Sequence, residues 1–222
     1  MPLTRRQIAW RAAQDLKDGA IVNLGIGLPT LVSDYLPPER EIIIHSENGI
    51  LGVGPAPLAN EADPDLINAG KQPVTLLTGG SYTHHTDSFL IVRGGHLDLA
   101  LLGAFEVSGE GDLANWTTDD PKFPPGVGGA MDLAVGAREI RVLVEHTTKA
   151  GAPRLVRRCR YPLTAARVVR RIYTDLAVID VGPEGLLVRE ICDGLDLKAL
   201  QAKTEAPLAA APDLKPLAAP AL

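Results

Sequence analysis

The segment HSENGILGVGP, residues 45–55, follows directly on EIII. The isoleucines read as a buried strand, and Glu47 stands where that strand should end. Asn48 and three glycines (Gly49, Gly52 and Gly54) surround it. A carboxylate at the mouth of a buried strand can serve as a general base or as a covalent nucleophile. The same residue types also suit a loop carboxylate that faces water or caps a helix. The glycines are expected to clear side chains from the approach of a large substrate.

Other chemistry-bearing residues give weaker signals. GIGLPT (Gly25, Gly27, Thr30) copies part of a dinucleotide fingerprint but lacks its third glycine. A tight strand-to-helix turn explains it more simply, and the free backbone N–H groups of such a turn can hold an anion. His84 and His85 are adjacent, so on a helix they point about 100° apart and do not suit one metal ion. His45, His96 and His146 have no ligand spacing, and no metal is expected. Cys159 and Cys192 form no CxxC pair and read as reduced core thiols of a cytoplasmic protein.

The elements that must position Glu47 follow from pattern and punctuation. With 222 residues and 45% hydrophobic residues, the chain can build one α/β core. Aromatics are only 4%, so aliphatic side chains must fill it. A formal charge of −5 argues against nucleic acid or an anionic membrane as the main partner. No apolar run approaches the roughly 18 residues of a membrane span, and the opening residues lack the apolar stretch of a secretory signal.

Thr4 caps a helix running to about Lys17. AIVNL and EIIIH are strands with a short helix, TLVSDYL, between them. Residues 46–70 read as one long loop and QPVTLL as a strand. TDSFLIVRGG is a helix and LDLALLG a strand. FEVS and DLANWT pair as a hairpin about Gly109–Gly111. GGAMDLAVGA opens a helix and EIRVLVEH is a strand. LTAARVVRRIYT reads as helical, LAVIDV and LLVREI pair across GPEG, and DLKALQAKTEA closes as a helix. This alternation predicts an open, mostly parallel sheet with helices on both faces and an inserted hairpin. Ligands then bind beyond the carboxyl ends of the strands. The glycine loops at 25–27, 49–54, 79–80, 94–95 and 126–129 are expected to converge there. Residues 1–208 form the domain, and the Ala/Pro-rich residues 209–222 read as a tail without fixed fold.

SENGILGVGP, with NLGIGLPT before it and DPDLINAGK, GDLANW and GGAMDLAVGA after it, resembles the B subunit of the class I, two-subunit CoA-transferases. The likeness covers roughly residues 4–208. Within that family INAGKQPVTLL, GGSYTHH and RGGHLDLALLGAF look most like the branch acting on 3-oxoadipate. The resemblance implies a nucleophilic role for Glu47, which attacks the thioester carbonyl of succinyl-CoA. CoA thiolate leaves, and then attacks the glutamyl carbonyl of the mixed anhydride. Succinate departs and a Glu47–CoA thioester remains. The acceptor acid runs the same steps in reverse, and no ATP is required.

The resemblance also implies an oxyanion hole made by the Asn115 side-chain amide and the backbone N–H of Gly129. A small length difference within residues 117–126 leaves Gly128 as the other candidate for that donor. Asn23 and Lys71 match family active-site positions, with Lys71 a counter-charge for a carboxylate or for CoA. Gly25 and Gly27 belong to the CoA-binding side. His84 and His85, at a helix start whose dipole favours an anion, are expected to help select a dicarboxylic acceptor. No permanent cofactor is implied; the CoA thioester is a substrate. The chain should be one half of an enzyme, active only with an A subunit, as α2β2. Two rival readings remain: a short-chain acid such as acetoacetate as acceptor, and a non-enzymatic ligand sensor of the same fold.

Overall fold

The computed structural model describes residues 1–58, 60–118 and 126–222. Thr4 accepts a hydrogen bond from Gln7 N and Gln7 returns one to Thr4 N, a capping box that starts α1, Arg5–Ala13. β1 (Ile21–Leu24) and β2 (Ile43–Ser46) flank a 3₁₀ helix over Leu28–Tyr35. β3 (Ile50–Val53), β4 (Leu76–Tyr82), α2 (His85–Arg93) and β5 (Leu99–Leu102) follow. Next come β6 (Glu106–Ser108), β7 (Leu113–Ala114), α3 (Ala130–Gly136), β8 (Ile140–Leu143) and β9 (Leu155–Val156). The chain ends with β10 (Val169–Tyr173), β11 (Ala177–Gly182), β12 (Gly185–Cys192), α4 (Leu197–Gln201) and β13 (Leu208–Leu217).

Ten strands form one sheet in the order β13-β12-β11-β10-β8-β5-β1-β2-β3-β4. Parallel pairing runs from β2 through β1, β5 and β8 to β10, and β13 lies parallel to β12. Antiparallel pairs flank that centre on both sides. Both faces are covered, and the strand period sorts the core accordingly. On β5, Leu99 and Leu101 pack in the cluster with α1 residues Ile8, Ala9 and Ala12, while Ala100 and Leu102 pack toward Val92 and Leu133 of α2 and α3. The expected inserted hairpin is present as β6 and β7, joined by β9 in a separate three-stranded sheet.

Five expectations change. The loop 46–70 contains β3, whose Gly52 hides the strand pattern but lets the chain approach Gly80; a Cβ on Gly52 would stand 2.9 Å from Gly80 Cα. The strand sought at QPVTLL lies later, and Gly79 and Gly80 belong to the edge strand β4 rather than to a ligand loop. LTAARVVRRIYT holds a strand, β10, because Val169, Ile172 and Tyr173 fill a central position in the sheet, where β-branched and aromatic side chains pack well.

The tail is the largest correction. Residues 208–217 are β13, drawn into order by the open edge of β12, with Leu186↔Leu208 and Cys192↔Leu217 in register. Leu217 is buried, and Pro220 O accepts a bond from Gln7 Nε2 of α1. Leu217→Ala should therefore cost about 2 kcal/mol of stability, read by chemical denaturation, and removal of residues 208–222 should cost more. A truncated chain as stable as the full one would show that β13 contributes nothing.

Candidate active site

The chain leaves β1 toward β2 on one side and leaves β5 toward β8 on the other. The two strands are neighbours, so a crevice opens between their carboxyl ends, the usual ligand position in an open α/β sheet. A cavity of about 380 Å³ occupies it. Its walls include Gly25 and Ile26 after β1, Glu47 after β2, Phe105 after β5, and Asn115 and Gly129. A second cavity of about 390 Å³ lies along β2 at Ser46 and shares the Leu24 and Ala69 walls.

Glu47 reaches this cavity because β2 turns tightly into β3. Gly49 N donates to Ser46 O at 2.9 Å, and Thr83 N donates to Gly49 O at 2.8 Å. Gly49 has φ +117°, and a Cβ there would overlap Thr83 O. Gly49 and Gly52 thus serve the packing of β3 on β4 rather than the clearance of a substrate path, whereas Gly54 lines the second cavity. The glycines that do open the Glu47 cavity are Gly25, Gly103, Gly126, Gly128 and Gly129.

Burial raises the Glu47 carboxyl above its ordinary value. The neighbouring His85 opposes the rise, Asp132 adds to it, and the Gly129 N–H donated to the carboxylate opposes it. A Cβ on Gly129 would stand 2.5 Å from Glu47 Oε2 and 2.8 Å from the Phe89 ring, so only glycine fits between them. Gly128 (φ +52°) lines the cavity beside it, and it is Gly129 whose amide meets the carboxylate. Residues 119–125, most of the stretch with the length difference, lie outside the described residues.

The Asn115 amide is held on two sides. Nδ2 donates to Gly103 O at 3.1 Å, and Oδ1 accepts from Thr164 Oγ1 at 2.6 Å. Glu47, Asn115, Gly25, Gly128 and Gly129 are thus brought together, with His85 adjoining. The His85 ring lies 4.9 Å from that of Phe89.

Other expected site residues fall elsewhere. Asn23 is buried within the sheet, its Nδ2 3.0 Å from His45 Nδ1 and 3.2 Å from His45 O. His45 Nε2 continues to Ser88 Oγ at 2.9 Å, so Asn23 knits β1, β2 and α2 beneath the site rather than facing it. Gly27 (φ +94°) caps the 3₁₀ helix and accepts from Thr30 Oγ1 at 2.7 Å. Lys71 sits at φ +62° in the turn after Ala69, exposed, outside the cavity wall and without an ion pair among the described residues. His84 caps α2, its Nδ1 accepting from Thr86 N at 3.2 Å. Sequence reasoning missed Phe89, Phe105, Asp132 and Thr164, which lie between 42 and 117 positions from Glu47; Phe105 and Asp132 stand inside RGGHLDLALLGAF and GGAMDLAVGA, but no spacing ties them to Glu47.

Comparison with known proteins agrees with this geometry. The family model described as "Coenzyme A transferase" matches residues 5–201. The chain belongs to the coenzyme A transferase family. It is 58% identical over 206 residues to the B subunit of 3-oxoadipate CoA-transferase from Pseudomonas putida, covering 93% of this chain and 96% of that one. It is 47% identical over 209 residues to the B subunit of a probable succinyl-CoA:3-ketoacid coenzyme A transferase from Bacillus subtilis, covering 94% and 96%. Among solved structures, the acyl-CoA transferase YdiF of Escherichia coli O157:H7 shares the fold at TM-score 0.72 and 21% identity. The match covers 97% of this chain, which spans less than half (43%) of the YdiF chain. The decarboxylase AibA/AibB shares the fold at TM-score 0.67 and 18% identity, covering 98% and 89%. The fold alone therefore does not fix the chemistry. Among the described residues no helix is long and apolar enough to cross a membrane, and no cluster could hold a metal ion.

A carboxyl raised on folding costs stability when ionised, and that cost disappears as the pH falls through the raised value toward the ordinary 4.5. Glu47→Gln should therefore melt higher than the unsubstituted chain at pH 7.5, and the gap should close near pH 4.5. A lower melting temperature for Glu47→Gln at pH 7.5 would contradict the desolvated site.

Proposed function

We propose that this chain is the Glu47-bearing half of an enzyme that moves CoA from succinyl-CoA to a 3-oxo acid, with 3-oxoadipate as acceptor. It works with an A subunit in an α2β2 assembly in the cytoplasm. The observation that carries the reading is a partly desolvated carboxylate that accepts the Gly129 N–H in the same cavity as the Asn115 amide.

Each part of that site has a task. A carboxylate is a weak nucleophile, but the anhydride it forms is open to attack by thiolate or by a second carboxylate. Burial removes some of the water that blunts it. The Asn115 amide stabilises the oxyanion that forms on the thioester carbonyl, and the Gly129 N–H, which holds the resting carboxylate, joins it once the attack has taken the charge off Glu47. CoA thiolate leaves, attacks the glutamyl carbonyl, and releases succinate from the anhydride. The acceptor carboxylate then attacks the Glu47–CoA thioester, and the departing thiolate returns to the acceptor's carbonyl. Each bond broken is replaced by one of similar energy, so no external energy source enters. Binding energy from the remote parts of CoA positions the reacting atoms.

The resting enzyme should therefore trap CoA. With succinyl-CoA and the A subunit present, the intact mass of this chain should rise by one CoA, and borohydride should inactivate it. Glu47→Ala should abolish both effects. An equal adduct on Glu47→Ala would sink the assignment, and a chain that binds acyl-CoA without any adduct would favour a ligand sensor.

His84 and His85 part company in acceptor choice. His85 adjoins Glu47, whereas the His84 ring is engaged in capping α2. A distal carboxylate on the acceptor can take a hydrogen bond from imidazole. His85→Ser should lower kcat/KM for 3-oxoadipate more than for acetoacetate, while His84→Ser should affect both alike. Equal losses for both acids in His85→Ser would move specificity to the A subunit, and would keep open acetoacetate as the acceptor.

A further inference from the structure

The Asn115 amide is useful only if it points the right way, and a side-chain amide turns easily about its last torsion. Its orientation is fixed from a segment 49 residues away, between β9 and β10. Thr164 is 7% exposed, and its hydroxyl makes two bonds to the same residue. It accepts from Asn115 N at 3.1 Å and donates to Asn115 Oδ1 at 2.6 Å. A hydroxyl has one hydrogen to give, and here it goes to the amide oxygen. The amide nitrogen is thereby turned to Gly103 O, 3.1 Å away at the end of β5.

Nδ2 carries two hydrogens. Gly103 O takes one, and among the described residues no acceptor takes the other. Asn115 lies in the wall of the cavity that also contains Glu47 and Gly129. Thr164 itself is well anchored. Its N–H donates to Leu113 O at 2.7 Å, Ala165 bridges Leu113, and Trp116 Nε1 donates to Leu163 O at 3.2 Å. Both chain neighbours of the Asn115 segment therefore hold the strap that holds Asn115.

We propose that Thr164 is a positioning residue for the Asn115 amide. Its hydroxyl clasps the backbone N–H and the side-chain oxygen of Asn115, so that the second Nδ2 hydrogen is presented to the cavity beside Glu47. The proposal rests on the reading of Asn115 as an oxyanion donor. Thr164 touches no reacting atom and acts only through Asn115.

The test uses the enzyme assembled with its A subunit and compares Thr164→Val, Thr164→Ser, Asn115→Ala and the double variant Thr164→Val/Asn115→Ala. Loss of one oxyanion donor typically lowers kcat by about 10²–10³, and that is the expectation for Asn115→Ala. Thr164→Val keeps the volume but removes both bonds, and should lower kcat about tenfold or more with little change in KM for succinyl-CoA. Thr164→Ser keeps the hydroxyl and should restore most of kcat. In the double variant the valine should add no further loss, because its only route of action is already gone. If Thr164→Val fails to assemble, Thr164→Ala replaces it in the same comparison.

Wild-type kcat in Thr164→Val beside a crippled Asn115→Ala overturns the proposal and leaves the oxyanion reading standing. Wild-type kcat in Asn115→Ala overturns both. A Thr164 loss that persists undiminished in the Asn115→Ala background also overturns the proposal, because it shows that the threonine acts by another route.

Discussion

The contact between the Glu47 carboxylate and the backbone of Gly129 is the constraint on which the site depends. It brings the end of β2 against the start of α3, two elements with more than 80 residues between them. Any side chain at position 129 would strike both the carboxylate and Phe89, so the approach is possible only for glycine. One amide hydrogen bond offsets part of the cost of desolvating the charge, but not all of it, and the carboxyl stays raised. A carboxylate fully paired with an arginine would be more comfortable and less reactive.

Other carboxylates of the protein show this contrast. Around α1 and strands β10, β11 and β12 they are paired. Burial would raise Asp15, but Arg11, Tyr173 and Arg171 outweigh it and hold the carboxyl below its usual range. Asp180 is held down in the same way by Arg171 and Arg189. These pairs tie α1, β10, β11 and β12 together. At the carboxyl ends Glu47 has no arginine among its described partners, and glycines replace bulky side chains.

The wall facing Glu47 is a compact stack from α2 and α3. Arg93 makes a two-pronged ion pair with Asp132, 2.7 and 3.2 Å, and its guanidinium lies 5.8 Å from the centre of the Phe89 ring. Phe89 in turn packs against Gly129 and His85. Asp132 would press harder on Glu47 as a lone charge, and pairing with Arg93 spreads that charge over the helix pair. From below, the buried chain Asn23–His45–Ser88 holds α2 to the same two strands. Burial pushes His45 down to about 4, so it stays neutral there and works as a hydrogen-bonding strut.

The sequence by itself determined what depends on local pattern. It marked Thr4 as a helix cap, the all-apolar strands of the sheet centre, the hairpin at Gly109–Gly111, and Glu47 at the end of β2. Its run of SENG, GDLANW and GGAMDLAVGA carried the family likeness. Only the tertiary structure decided what depends on surfaces meeting. β13 is a strand because β12 offers an open edge, although its own alanines and prolines favour none. Gly52 belongs to a strand because Gly80 lies against it. Asn23, matched to the active site by motif, turns into the sheet because His45 accepts its amide there. Thr164 looks like an ordinary loop threonine, and acquires its place only where β7 brings Asn115 within 2.6 Å of its hydroxyl. The physical reason is common to these cases: a hydrogen bond or a close approach between distant segments has no period, and only folding brings its two halves together.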